Sequence, residues 1–229
     1  MKSNQDYKNE ALSRLRGNWA PVVVAAIVYL LVCILFLAAR DWDAISKKIP
    51  ALAAFVPSTF GVKALVEGCG LLVTVFVVMP LEIGFCNSMR VLYEDSDYRA
   101  TSNMFRFATG NYLHIVWTGF LMTIKVFLWT LLLIIPGVIK SYAYALAPFI
   151  VVEHPEMSAG EAIAESERLM EGHKFDLFWL QLSFIGWFIL SLLTLGIGFF
   201  WLEPYCQTSI VAFYNDIKAA DAVSEIEDQ

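Results

Sequence analysis

The stretch at residues 21–39, PVVVAAIVYLLVCILFLAA, carries no charged side chain over 19 consecutive positions. A hydrocarbon layer about 30 Å thick is crossed by roughly 20 helical residues, each rising about 1.5 Å. The stretch is therefore long enough to cross a bilayer, and residues 177–195 repeat the pattern. The whole chain of 229 residues is 58% hydrophobic and only 17% charged, with a mean hydropathy of +0.60. Soluble domains run at about 45–50% apolar and about 25% charged. So small a soluble core could not hide these blocks. The apolar run exceeds the 7–15 residues usual for a signal peptide, so an uncleaved first helix is expected, although Leu37-Ala38-Ala39 would pass as a cleavage site.

Working outward from that stretch, apolar segments fall at about 20–39, 68–89, 112–135, 137–152, 176–195 and 197–214. The backbone must satisfy its own hydrogen bonds in lipid, and the alternating strands of a barrel are absent. The fold class read here is all-α: a polytopic membrane bundle of about six transmembrane helices. Ile135-Pro136-Gly137 and Gly196-Ile197-Gly198 punctuate it into hairpins, three in all, with amphipathic helices at the interface. Span two contains Pro80 and Glu82. Span four is short, with Lys140 near its start and Pro148 near its end. Residues 1–217 form one integral membrane domain. Residues 218–229 form an acidic tail, with Asp221, Glu225, Glu227 and Asp228 expected to be solvated.

Orientation follows the Lys and Arg side chains. With the N-terminus inside, the cytoplasmic segments hold Lys2, Lys8, Arg14, Arg16, Arg90, Arg99, Arg106, Arg168, Lys174 and Lys218. The other side holds Arg40, Lys47, Lys48, Lys63 and Lys140, and Lys125 lies within a span. Ten against five favours both termini in the cytoplasm. A weak repeat supports the hairpins: Gly17-Asn18-Trp19, Gly110-Asn111-Tyr112 and Gly172-His173-Lys174-Phe175 each precede one. Glycine ends an interfacial helix, and the aromatic ring settles at headgroup level. In the third lead-in, Ser158-Ala159-Gly160-Glu161 fits a capping box. Ala159, Ala162, Ile163, Ser166, Leu169 and Met170 then form one stripe, against Glu161, Glu165, Arg168 and Glu171. That pattern predicts a helix lying on the cytoplasmic face.

Chemistry-bearing motifs are scarce. No GxSxG, HExxH or phosphate-binding loop occurs. His114, His154 and His173 share no short ligand spacing, even with Glu153 and Glu156 nearby, so no metal and no cofactor is expected. Cys33, Cys69, Cys86 and Cys206 read as small buried hydrophobes. Trp19, Trp117 and Trp179 toward one interface, with Trp42, Trp129 and Trp201 toward the other, form an aromatic belt. A net charge of −6 without a basic arm argues against nucleic acid. Ionisable groups inside spans are the best functional candidates, and these are Glu82, Lys125 and Glu203. Each costs roughly 2.5–3.5 kcal/mol if left in lipid, so each should face protein or water. Lys125 and Glu203 lie at similar depths, about 20 and about 17 Å from the cytoplasmic ends of their spans, and are expected to pair. A structural ion pair and a polar transport path are the two readings of these charges.

A family resemblance begins at Leu128-Trp129 and LLLIIPGVIK (131–140), followed by Tyr142 and Tyr144. It continues through Ser166, Leu169-Met170, Gly172 and Lys174, then LSFIGW (182–187), TLGIG (194–198), Trp201-Leu202 and Pro204-Tyr205. Leu15-Arg16-Gly17-Asn18-Trp19 fits as well. Over roughly residues 10–217 the chain resembles the bacterial integral membrane family known as domain of unknown function 975. The resemblance implies a six-helix domain of the bacterial cytoplasmic membrane. It also suggests kinship with the membrane domain attached to some glycerophosphodiester phosphodiesterases, without their catalytic barrel. The function expected is non-enzymatic, through membrane lipids, a protein partner or a second copy of the chain. A small permease or channel using the buried charges is the alternative, with a lipid-directed intramembrane enzyme third.

Overall fold

The computed structural model of the chain describes residues 2–40, 74–95, 99–106 and 111–227. The outer segment expected to hold Lys47, Lys48 and Lys63, the start of span two at 68, Cys69 and Gly110 lie outside the described residues. Every described element is helical. In chain order these are α1 (Asn4–Leu15), α2 (Trp19–Arg40), α3 (Met79–Asp95), α4 (Ala100–Met104), α5 (Tyr112–Leu132), α6 (Ile134–Ala143), α7 (Ala147–Glu153), α8 (Ala159–Leu169), α9 (Lys174–Leu182), α10 (Ile185–Leu193) and α11 (Phe199–Glu227). A π-helical turn, Thr74–Val78, leads into α3.

Four stretches are long and apolar enough to cross a membrane: Thr74–Glu94, Tyr112–Leu132, Ile134–Glu153 and Lys174–Leu193. A fifth is added if α1 and α2, which meet at 103°, are taken as one broken span. The chain is thus a helical membrane protein. The sixth expected span falls inside α11, whose apolar run is diluted by Glu203, Pro204 and Gln207.

Span four is built from α6 and α7. Pro148 sits in the first turn of α7, where its missing N–H costs nothing, and it cannot donate back across the break. Ser166 of α8 closes that gap. Its hydroxyl donates to the Ala143 carbonyl at 2.8 Å and accepts from the Leu146 amide at 3.2 Å, fully buried. Span five is likewise divided, into α9 and α10, at Ser183. There the Lys8 ammonium of α1 donates to the Ser183 carbonyl at 2.8 Å and lies 4.2 Å from the Phe184 ring centroid.

Two hairpins close by near-contact of backbones. A Cβ added at Gly137 would stand 2.7 Å from the Thr130 Cα, and one at Gly198 would stand 2.7 Å from the Ser191 Cα. The α10–α11 turn is a Schellman motif: Gly196 N–H bonds to Ser191 O and Leu195 N–H to Leu192 O, both at 3.0 Å. Its left-handed residue is Leu195, with φ 54°, a conformation that favours glycine. The Leu195 side chain is 95% exposed to what would be lipid or headgroup, so it gains little packing. Leu195→Gly should therefore stabilise the protein by about 1 kcal/mol, read as a rise in the unfolding midpoint in detergent.

The helices sort into two neighbourhoods. α11 packs on α1, α2 and α3, whereas α5 packs on α3, α6, α7 and α8. Their shared interior includes Tyr7, Phe85, Met89, Phe149, Phe213 and Tyr214, all essentially inaccessible. Tyr7 meets Phe213 edge-on at 5.6 Å, and Phe149 stacks on Tyr214 at 5.5 Å. Leu131, Leu132, Leu133, Ile134 and Ile135 at the α5–α6 turn are by contrast 64–74% exposed, as a lipid-facing tip requires.

Gly17 and Gly172 end α1 and the turn after α8 with positive φ, 86° and 82°, as the lead-in repeat requires. Nothing lies within 4 Å of an added Cβ at either, so the backbone conformation, not crowding, selects glycine. The expected interfacial helix is α8. Ser158 accepts from the Glu161 amide at 3.3 Å while the Glu161 carboxylate accepts from the Ser158 amide at 2.7 Å. Ile163 and Leu169 are buried, as expected, and Ile163 packs with Ala143, Tyr144 and Ala147 of the bundle.

Candidate functional site

Two polar regions emerge, one within the bundle and one at its end. Within it, α3 and α11 run side by side in the same direction. Polar residues recur at a four-residue spacing on both, Glu82 and Cys86 on one, Glu203 and Gln207 on the other. Gln207 donates to the Glu203 carboxylate at 3.1 Å and accepts from the Cys86 thiol at 3.6 Å. Glu82 lies close enough to Glu203 to feel its charge, and Tyr29 and Cys33 of α2 lie within range of both carboxylates. Tyr29 is held in place by stacking on Phe85, with centroids 5.2 Å apart. This makes a seam of hydroxyl, thiol, amide and carboxylates where α2, α3 and α11 meet.

Lys125 is not part of it. Its ammonium lies 5.9 Å from the centroid of the Tyr144 ring, on the α5–α6–α8 side, and it makes no ion pair with Glu203. The expected pairing of Lys125 with Glu203 is overturned. Depth along a helix fixes height but not azimuth, and α5 and α11 belong to different neighbourhoods. α3 runs on to Asp95, so Glu82 lies 13 residues, about 20 Å, from its inner end. The sequence reading ended that span at residue 89, but Val91, Leu92 and Tyr93 are still buried. Glu82 and Glu203 are brought together, and Lys125 stands apart. Losses of folded yield in Lys125→Met and Glu203→Gln should therefore add in the double variant to within about 0.5 kcal/mol, whereas Glu82→Gln and Glu203→Gln should not. Unfolding titrations of the four variants measure this.

The second polar region ties both chain ends together. The Lys2 amide and the Tyr7 hydroxyl donate to the Asp216 carboxylate at 3.1 and 2.7 Å. Lys2 pairs with Glu10 at 2.9 Å, and Glu10 also accepts from Tyr93 at 2.5 Å. Glu153 at the end of α7 receives the Tyr214 hydroxyl at 2.7 Å and the Lys218 ammonium. Arg168 of α8 makes a two-pronged contact with Asp221 at 2.7 and 2.8 Å and a second with Glu165. Such fork geometry is the strong form of the ion pair. Hydrogen bonding to Arg168 holds the Asp221 carboxyl below its usual range. Burial opposes the same effect at Asp216, where the Tyr7 and Lys2 bonds prevail. The start of the acidic tail is thus helical and anchored: α11 continues through Glu227.

The long-range ties of this collar were not read from the sequence, because their partners are separated by 53 to 214 positions. The seam had a legible signal, the matched spacing of Glu82/Cys86 and Glu203/Gln207. Among the described residues no group of His, Cys, Asp and Glu could hold a metal ion. His154 and His173 instead meet the nearby carboxylates of Glu156 and Asp176, at 3.0 and 3.2 Å.

Residues 130–221 match the family described as "Protein of unknown function (DUF975)". That part of the chain is similar to this family. The matched segment runs from the end of α5 to the tail of α11. It takes in the α5–α6 turn, Ser166, the Arg168–Asp221 pair and Glu203, but not Glu82 or Lys125. The likeness seen in LLLIIPGVIK, LSFIGW and TLGIG falls inside it. No curated protein and no solved structure matches the chain.

Proposed function

We propose that this membrane protein works without catalysis, as a rigid cytoplasmic-side docking platform for lipid or protein partners in the bacterial cytoplasmic membrane. The observation that carries the reading is the fixing of α8. This helix is held by Ser166 to the break in span four, by Glu167 to Lys140, and by Arg168 to Asp221. Its outer face, with Glu161 and Arg168, is exposed, as is Glu171 in the turn just after it. Anchoring a charged helix at three points presents a surface whose geometry is preorganised, which lowers the entropic cost of association. The meeting of Lys2 with Asp216 supports an even number of crossings, six when α2 and α11 are included, with both termini on one side. The Lys and Arg distribution supports the cytoplasm as that side.

A photocrosslinking residue placed at Glu161 or Glu171 tests the reading in native membranes. A discrete adduct at these positions, lost when Arg168→Ala releases the helix, is the expected result. Labelling no different from that of an exposed loop would contradict it.

The seam supports a second reading, a small permease. Two carboxylates on adjoining helices are a recurrent means of moving protons or cations across a bilayer. Proteoliposomes loaded with a pH-sensitive dye would show proton flux abolished by Glu203→Gln. Flux equal to that of empty vesicles would remove this reading.

A further inference from the structure

α1, the first residue of α2, α10 and α11 enclose a groove of about 310 Å³ that neither the seam nor the collar uses. Its walls include Leu12, Trp19, Trp187, Leu190, Trp201 and Leu202, and no charged side chain is among the residues that line it. Trp187, Leu190 and Trp201 stay 48–53% exposed, so the groove opens sideways. The two hydroxyls of the α10–α11 turn that line it are spent inside their own hairpin. Ser191 donates to the Trp187 carbonyl at 2.8 Å, and Thr194 donates to the Ser191 carbonyl at 2.8 Å while accepting from the Gly198 amide at 3.0 Å. From Gly198 to Tyr205 the groove follows α11 over about 10 Å of rise, so it runs with the span rather than across it.

The end of the groove nearest α1 is basic. Leu12 belongs to a row, Lys8, Leu12 and Arg16, that recurs every four residues and so marks one face of that helix. Lys8 is 7% exposed and sits over Phe184, whose ring meets the Tyr205 ring of the groove edge-on at 5.0 Å. A carbonyl and a ring are its partners, so neither cancels its charge. Arg16 stands between Leu12 and Trp19 in the chain, is exposed, and enters no ion pair among the described residues. The acidic residues of α1 lie off this face: Asp6 is bonded to Ser3, and Glu10 to Lys2 and Tyr93.

An apolar channel along a span, with uncompensated cations at one end only, has the polarity of a phospholipid. We infer that this groove seats an acyl chain of an anionic phospholipid from the leaflet on α1's side of the membrane, with the headgroup beside Arg16. A helix of a second chain fits less well, since a single turn about 10 Å across and about 5.4 Å in pitch already fills about 420 Å³. Lipid tails gain nothing by leaving other lipid tails, so packing on three indole rings and the charge at the mouth are what select this lipid from its neighbours. The inference goes beyond the docking reading. It stands on α1, α10 and α11, so crosslinking at Glu161 can fail while lipid seating holds.

The test places the full chain in phosphatidylcholine vesicles doped with phosphatidylglycerol or phosphatidylcholine carrying a diazirine midway along one acyl chain. After illumination, adducts are mapped by peptide mass spectrometry. Adducts within residues 187–202 should form about fivefold more with the phosphatidylglycerol probe, and Arg16→Gln should abolish that preference. Lys174→Gln, a basic residue outside the groove, should keep it. Leu190→Trp, which fills the groove from a half-exposed position, should lose these adducts, whereas Leu128→Trp on the exposed face of α5 should retain them. The Arg16 variant changes an exposed side chain and keeps the test usable should Leu190→Trp fail to fold. Adducts spread evenly over α5 and α10 with both probes, a preference that survives Arg16→Gln, or a crosslinked dimer in place of the lipid adduct would overturn the assignment.

Discussion

Gly137→Val should abolish folding of the α5–α6 hairpin. The smallest side chain at position 137 would meet the Thr130 Cα at 2.7 Å, and backbone cannot yield as a flexible side chain does. Close approach of helices at small residues is the main packing device available in lipid, where apolar burial gives no drive. Overpacking of this kind costs about 1–3 kcal/mol in soluble cores. Here the figure should reach the upper end, because both clashing groups sit beside a tight turn with no slack. Gly198→Val should behave alike against Ser191. Gly160→Val, where nothing lies within 4 Å, is the control and should leave folded yield unchanged. Size-exclusion yield in detergent measures all three.

Ser166→Val should be almost as damaging, for a different reason. The substitution is nearly isosteric, so no large cavity forms. It removes the one hydroxyl that both accepts from the Leu146 amide and donates to the Ala143 carbonyl, inside a fully buried site. Two buried backbone groups lose their partner at about 1–3 kcal/mol each. Ser166→Thr, which keeps the hydroxyl, should recover part of the loss. Ser13→Val on the exposed face of α1 should cost under about 0.5 kcal/mol. Unfolding midpoints across the three variants separate the hydrogen-bond contribution from side-chain volume.

What the sequence makes legible follows from periodicity and punctuation. The 19 uncharged residues at 21–39 specify a helix in lipid whatever their neighbours are. Gly17, Gly172 and Pro148 mark helix ends because each imposes a backbone conformation locally. The capping box at Ser158 and the buried stripe of α8 are visible for the same reason. Contacts between distant helices are not local, and there the reading failed. Lys125 and Glu203 match in height yet face different neighbours. The end of α3 was placed too early because Arg90 looked like an exit from the membrane, when it is half-buried and bonded to Asn87 and Glu94 within a helix that continues. Ser166 read as one more small residue in a stripe. Its role depends on the break in span four, which only the packed structure sets beside it.

The central claim is that a helical bundle crosses the membrane with its collar, both chain ends and α8 on one side, and its apolar turns on the other. Accessibility of single cysteines in a cysteine-free background tests this most directly, using a membrane-impermeant maleimide on right-side-out and inside-out vesicles. Cysteines replacing Gln5, Gly160 and Ala220, all exposed at the polar end, should label only in inside-out vesicles, and a cysteine replacing Leu195 only in right-side-out ones. Labelling of position 195 from the same side as positions 5 and 220 would mean that α9, α10 and α11 do not cross, and would contradict the account.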